Sequence, residues 1–407
     1  MNFKNIPPLV SGGSGYFLGP QPTLIQDSKQ IQTNKRLFEL FEASSSEELQ
    51  TKRKQRPIGL TEKRLCLLIS KAERKEAQTK NQANLFNFDE KKILTVSSQN
   101  QHLQIFRIDP DTQKAIGNTA TIHDAFHINT GKFVTLKIAR NDKYPESRNS
   151  LIHEKQGLID AHARFSTKKV QAAPLAFFEI PTLEGSYCGF AGKTYAFDLY
   201  SLFEQKTSPN LQTKLLWCYD LTVALAQLMV AGLVHGDLKI ENVLCKEGKY
   251  RLKVILGDFG AYFDLTKLQE IALNFNSFTL NYCPYRDFKF IEEAVKEDNR
   301  ELYANVRKAH DVYALGCVFH EIMTEGQPPY PLDGDFPDHS TPFNAYFLEH
   351  HIENQKFSTL VTRMLDPDYC DRPDIFSVLE SLPPILNQYK CDFKECRLTP
   401  KNDFISW

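Results

Sequence analysis

The stretch VHGDLKIENVL, residues 234–244, gathers His235, Asp237, Lys239 and Asn242 into one short segment, with Gly236 immediately before the aspartate. A helical run over about 211–232 leads into it. The alternating strand YRLKVIL at 250–256 carries the chain on to a second acidic motif, GDFG at 257–260. Upstream the pattern changes. KFVTLKI at 132–138 alternates, so that Phe133, Thr135 and Lys137 face one way and Val134, Leu136 and Ile138 the other. SLIHEKQGLIDAH then has helical periodicity, and LAFFEI and TYAFDLY read as further strands. Beyond 300, helices are expected at about 309–324, 357–366 and 374–381. The chain is therefore expected to be α+β and bilobal, a small β-rich N-lobe followed by a larger α-helical C-lobe.

With 407 residues and 42% hydrophobic content, the chain can hold such a two-lobed domain with segments to spare. A formal net charge of −1 argues against whole-chain attraction to nucleic acid or anionic membrane, and no nucleic-acid partner is expected. The start, MNFKNIPPLVSGGSG, lacks the basic residues, apolar run and small-residue cleavage site of a secretory signal peptide. The longest apolar run, about Leu221–Val234, contains Gln227 and Gly232 and is too short to span a bilayer, so no transmembrane segment and a cytoplasmic location are expected. Nine dispersed cysteines read as reduced thiols, and no matching His/Cys set accompanies Cys391 and Cys396.

The expected division is an N-terminal extension over 1–100, partly helical or disordered, an N-lobe over 101–199, a C-lobe over 200–385 and a C-terminal tail over 386–407. Within the extension, Thr61 is placed to cap a helix bearing Leu65, Leu68, Ile69 and Ala72 on one face, which needs a docking surface or a regulatory partner. The basic residues around it read as a solvated face. GGSGYFLG at 12–19 imitates a phosphate-cradling loop, but no apolar strand follows to aim a lysine, and it reads as a turn.

Taken in order, FVTLKIAR, HGDLKIENVL, GDFG, FTLNYCPYRDF, HDVYALGCVFHEIM and DPDYCDRPD resemble the eukaryotic-type serine/threonine protein kinases over about 105–385, as a divergent member with a His-Gly-Asp catalytic loop. The resemblance implies ATP and magnesium as cofactors and a protein substrate. It implies that Lys137 contacts the α and β phosphates and that Glu154 holds that lysine in place. Asp237 would orient the acceptor hydroxyl and accept its proton, Lys239 would neutralise the transferring phosphate, and Asn242 and Asp258 would hold magnesium through oxygen. Gly117, Ile122, Thr135, Asp198 and Leu244 would surround the nucleotide. Asp311 would brace the catalytic-loop backbone, and Arg372 would be structural. Lys239 and Thr279 are the residues that point to serine or threonine as acceptor.

The sequence departs from that family in four places. The nucleotide loop, AIGNTATIHDAF, keeps Gly117 as its only glycine, with Ala115 and Ala120 where others stand. Thr135 replaces a small apolar residue against adenine. Tyr285 stands where a glutamate pairs with the residue matched by Arg372, leaving Asp287 as the substitute, and an insertion over 288–308 reads as a solvated helix. Gly236 replaces the arginine that couples activation-segment phosphorylation to activity, which implies an enzyme independent of that phosphorylation. Two other readings stand beside this one. Small-molecule phosphotransferases of the aminoglycoside or choline kinase kind resemble the His-Gly-Asp loop but lack the Asp-Phe-Gly, Thr…Pro and DVYALG elements. A pseudokinase scaffold would suit the poor glycine loop but not the retained lysine, metal ligands and aspartate. The Lys-, Asn- and Phe-rich composition points to an AT-rich bacterial genome, and from such a source the chain would be an effector kinase acting in a host cytosol.

Overall fold

The structure, a computed structural model, describes most of residues 82–394; residues 1–81, 271–278, 341–353 and 395–407, with several shorter stretches, lie outside it. The expectations for Thr61, for the basic helix and for GGSGYFLG fall in that outer set. The chain first forms an antiparallel sheet from β1 (Gln82–Phe88), β2 (Lys91–Ser98), β3 (Gln101–Ile116), β4 (Ala120–His127), β5 (Lys132–Ala139), β6 (Ala176–Thr182) and β7 (Gly185–Lys193). Its spatial order is β1-β2-β3-β4-β5-β7-β6. The alternation read from 132–138 is real: Val134 and Leu136 are buried with Leu94, Phe106 and Ala191, while Phe133 on the other face is exposed. Helix α1 (Glu146–Arg164) sits between β5 and β6 in sequence and buries Leu151, Glu154, Leu158 and Ala161, an i, i+3, i+4 stripe.

A two-residue strand β8 (Phe197–Asp198) leads into α2 (Leu199–Glu204), α3 (Leu211–Val230) and β9 (Leu233–Val234). The hairpin β10 (Val243–Glu247) and β11 (Leu252–Leu256) follows, then β12 (Phe263–Asp264), α4 (Tyr285–Lys296), α5 (Arg300–Thr324), the short pair β13 (Leu332–Asp333) and β14 (Phe336–Pro337), α6 (Gln355–Met364) and α7 (Ile375–Gln388). Helix α3 is buried almost all round because it packs against α5, α7 and β11 at once, and Trp217 donates its indole N–H to the Leu252 carbonyl at 2.9 Å. Among the described residues no helix is long and apolar enough to cross a membrane.

Four expectations are corrected. The sheet begins at Gln82, so the boundary at 100 cuts it: β1 and β2 pair in register with each other and β2 with β3, burying Leu94 and Val96. TYAFDLY forms only β8 before α2 starts, whereas GSYCGFAGK, rich in glycine, is the strand β7. The insertion at 288–308 is helical but not solvated, since α4 and the first turns of α5 bury Ile291, Ala294, Tyr303, Ala304 and Val306 against Val234, Phe263 and Leu265. The start of the tail belongs to the C-lobe: Cys391 is buried and Phe393 meets Tyr219 edge-on at 5.2 Å.

Candidate active site

The catalytic loop is held from below by α5. Asp311 accepts the backbone N–H groups of His235 and Gly236, each at 2.8 Å, and burial raises its pKa above the ordinary aspartate value. His235 is fully buried, lies 2.9 Å from the Gly257 carbonyl through Nε2, and meets Phe259 edge-on. Asp237 follows directly on this fixed backbone. The N–H and hydroxyl of Thr279 both donate to Asp237 Oδ1, at 2.8 and 2.7 Å. Lys239 Nζ donates to the Thr279 hydroxyl at 2.8 Å and lies 3.2 Å from Asp237 Oδ2. A hydroxyl is thus held between a carboxylate that takes its proton and an ammonium that faces its lone pairs.

The second constellation joins the lobes. Lys137 Nζ lies 2.7 Å from Glu154 Oε2 and 3.2 Å from Asp258 Oδ2. Burial works against the charge on Lys137, but Asp258 and Glu154 outweigh it and hold the ammonium above the ordinary lysine value. Burial costs the Glu154 carboxylate more than Lys137 returns, and its pKa is pushed up to about 7. For Asp258 the balance is reversed: burial raises it, but Lys137 prevails and the pKa falls below the usual aspartate value. Asp258 has φ 57°, a left-handed backbone, fixed by its side chain accepting the Gly260 N–H at 3.2 Å and by its own N–H donating to Gln171 Oε1 at 3.2 Å.

Sheet register pairs some of the residues expected around a nucleotide. Ile122 is the β4 partner of Lys137, and Leu244 is the β10 partner of Asp198. The Thr135 hydroxyl has a partner in Thr194 at 3.3 Å, so its polar atom is satisfied. Gly117 closes the β3–β4 turn, its N–H donating to the Ala120 carbonyl at 2.8 Å. The Asp198 carboxylate caps α2, accepting the Ser201 N–H at 2.7 Å and its hydroxyl at 2.8 Å, which gives it a structural task beside any ligand. A divalent cation fits the donor set. Asn242 commits its amide nitrogen to the Asp237 carbonyl at 2.7 Å, which leaves the amide oxygen for a cation, and its backbone carbonyl accepts the Gly257 N–H at 2.9 Å next to Asp258. The Asp258 side chain is 42% exposed, open to the cleft.

The sequence profile of the protein kinase domain matches residues 113–382, more than half of the chain. The chain belongs to the protein kinase domain family. It is similar to the serine/threonine-protein kinase VPS15 of Saccharomyces cerevisiae, 27% identical over 42% of this chain and 12% of that protein. The probable serine/threonine-protein kinase vps15 of Dictyostelium discoideum is 25% identical over 64% of this chain and 13% of that protein. The serine/threonine-protein kinase/endoribonuclease IRE1 of Oryza sativa subsp. japonica is 26% identical over 39% and 16%. The matches with these relatives thus span only 12–16% of their length.

Two further parts of this kinase domain bear on the site. Asp287 does pair with Arg372, bidentately at 2.6 and 3.0 Å and with both side chains fully buried, so the substitute for the missing glutamate lies two residues further on, in the first turn of α4. Tyr285 itself is 53% exposed. Sequence reading missed the ties between α1 and the chain just after Asp-Phe-Gly. His153 donates to the Tyr262 carbonyl at 2.9 Å, the Tyr262 hydroxyl reaches Asp160 at 3.3 Å, and Arg164 forms a fork on Asp264 at 2.9 and 2.5 Å. Glu154 rides on that anchored helix. A basic residue closing a helix, as Arg164 does, was the one visible signal, and it is too common to name a partner.

Proposed function

We propose that this chain is a protein serine/threonine kinase that transfers the γ-phosphoryl group of ATP, with magnesium, to Ser/Thr hydroxyls of protein substrates in a cytosol. The observation that carries the reading is the Thr279 hydroxyl, seated between Asp237 and Lys239 at 2.7 and 2.8 Å. An acceptor hydroxyl would meet the same carboxylate: Asp237 takes its proton as the oxygen attacks phosphorus, and Lys239 offsets the charge that develops beside it. Lys137, steadied by Glu154, would orient the α and β phosphates. Magnesium, held by Asn242 and Asp258 oxygens, would neutralise phosphate charge. The serine/threonine kinase names of the similar proteins agree with this acceptor class.

The activity is independent of activation-segment phosphorylation in this reading. Gly236 offers no side chain to a phosphate, while His153 and Arg164 already tie α1 to the segment through uncharged or carboxylate partners. Incubation of the full chain with radiolabelled ATP and magnesium, followed by phosphoamino-acid analysis, tests the first claim; no transfer, or a dominant phosphotyrosine signal, overturns it. Initial rates before and after phosphatase treatment, with Thr266, Ser277 and Thr279 mapped by mass spectrometry, test the second. A loss of about tenfold or more that tracks phosphate removal overturns it.

A further inference from the structure

Helix α5 carries Arg307 and Asp311 one turn apart, on the same face. Asp311 takes the N–H of Gly236 at 2.8 Å. Arg307 takes the other side of the same residue: its Nη2 donates to the Gly236 carbonyl at 3.2 Å and also reaches the Ala261 carbonyl at 3.4 Å. Ala261 directly follows Gly260, so one guanidinium joins the catalytic loop to the chain leaving the Asp-Phe-Gly motif. The arginine is fully buried.

Gly236 is what gives it room. A Cβ at 236 would stand 2.4 Å from Arg307 Nη2 and 2.3 Å from the Ala261 carbonyl oxygen, and the backbone there has φ +83°, a conformation that favours glycine. The glycine and the arginine are therefore two halves of one arrangement. Burying a cation away from water is costly, and a position that served packing alone would be better filled by an apolar side chain. The cost is offset by the two carbonyls, by the Tyr303 ring at 5.8 Å and by the charge of Asp311 on the next turn.

We propose that Arg307 is a positioning residue that supplies from α5 the cation that the His-Gly-Asp loop lacks, pinning Gly236 to Ala261 so that Asp237 and Asp258 keep their register in the unphosphorylated chain. This rests on the kinase reading of the site, and it assigns the phosphorylation-independence to one side chain.

The test uses the full chain with Arg307→Met, which keeps volume and loses the donors, and Arg307→Lys, which keeps a charged donor. Arg307→Met is expected to lower kcat about tenfold or more with the KM for ATP changed less than about twofold, and Arg307→Lys to recover part of that loss. Hydrogen exchange over residues 258–265 is expected to quicken in Arg307→Met. Wild-type kcat in Arg307→Met, or equal impairment of both variants with unchanged exchange, overturns the proposal. Should both variants fail to fold, exchange over 258–265 in the wild-type chain before and after phosphatase treatment decides: equal protection supports the pin, and loosening on dephosphorylation overturns it. A wild-type chain that transfers no phosphate would refute the kinase reading alone, since exchange in Arg307→Met against wild type would still show whether the pin exists.

Discussion

The two constellations of charge in the candidate site are built on opposite principles. Around Lys137 one ammonium is shared by Glu154 and Asp258, the carboxylate of Glu154 being almost entirely out of water, and the pKa values of all three are displaced. Around Asp237 the carboxylate is satisfied by short hydrogen bonds from Thr279, with the Lys239 ammonium beside it at 3.2 Å. The first fixes geometry at an electrostatic cost; in the proposed reaction the second supplies the proton acceptor. A kinase site needs both, because phosphoryl transfer is positioning and charge stabilisation with little covalent help from the protein.

The largest expected effect comes from the constellation around Asp237. Asp237→Ala removes the proton acceptor and no core contact, so kcat should fall about 10²–10⁴-fold while the melting temperature stays near that of the wild type. Single-turnover assays with calorimetry check both halves, and near-wild-type activity would remove Asp237 from the chemistry. Lys137→Ala comes next, at about 10²–10³-fold, the scale seen when one charge-stabilising donor is taken from a transition state. Unlike Asp237→Ala it leaves Glu154 and Asp258 without their shared cation, so the two lesions should differ in Mg-ATP thermal shift: retained for Asp237→Ala, diminished for Lys137→Ala. Identical shifts would mean that the two clusters do not divide the work in this way.

What could be read beforehand followed the range of the signal. Lys137, Asp237, Asn242 and Asp258 lie in short motifs that carry the resemblance to the kinase family, while β5, α1 and the helical C-lobe were legible from periodicity. Asp287 was legible as the partner of Arg372 only through the resemblance, as the substitute for the glutamate that Tyr285 replaces. The Arg164–Asp264 fork and the Arg307–Gly236 contact bridge about 100 and 71 residues and depend on how α1 and α5 pack, which no local pattern encodes. Strands β1 and β2 were missed for another reason. Their polar composition hides the few inward residues, such as Leu94 of β2, and a chain beginning at 101 would strip both strands from the sheet. β7 was hidden by Gly185, Gly189 and Gly192, residues that weaken a strand pattern but allow close approach, as at Gly189, where a Cβ would lie 2.6 Å from the Lys137 carbonyl oxygen.

A smaller effect probes the seat of the acceptor. Thr279→Val keeps the shape at 279 and removes the hydroxyl that links Lys239 to Asp237, and it should lower kcat by about tenfold, in line with one lost charge-assisted hydrogen bond of ~1.5 kcal/mol, whereas Thr279→Ser should retain most activity. Equal loss in the two variants would show that the methyl group matters and the bridge does not.

The smallest effect probes the Lys137 constellation alone, through the buried carboxylate of Glu154. Glu154, with its pKa at about 7 against an ordinary 4.5, loses its charge as the pH falls through about 7, and Lys137 then loses one of its two anchors. The rate should fall a few-fold on that acid limb, by about the share of positioning that one ion pair supplies. The stability contribution runs the other way. The folded chain holds this proton between about 7 and 4.5 and the unfolded chain does not, so the group favours folding increasingly as the pH drops through that window, by at most about 1.4 kcal/mol per pH unit. Glu154→Gln cannot titrate, and comparison with it isolates the group: the acid limb in kcat/KM should vanish in the variant, and the stability of the wild type relative to Glu154→Gln should rise from pH 7.5 to pH 5. A limb that survives in Glu154→Gln would place the titration elsewhere; a stability difference that is flat with pH would show that Lys137 keeps Glu154 ionised in spite of its burial.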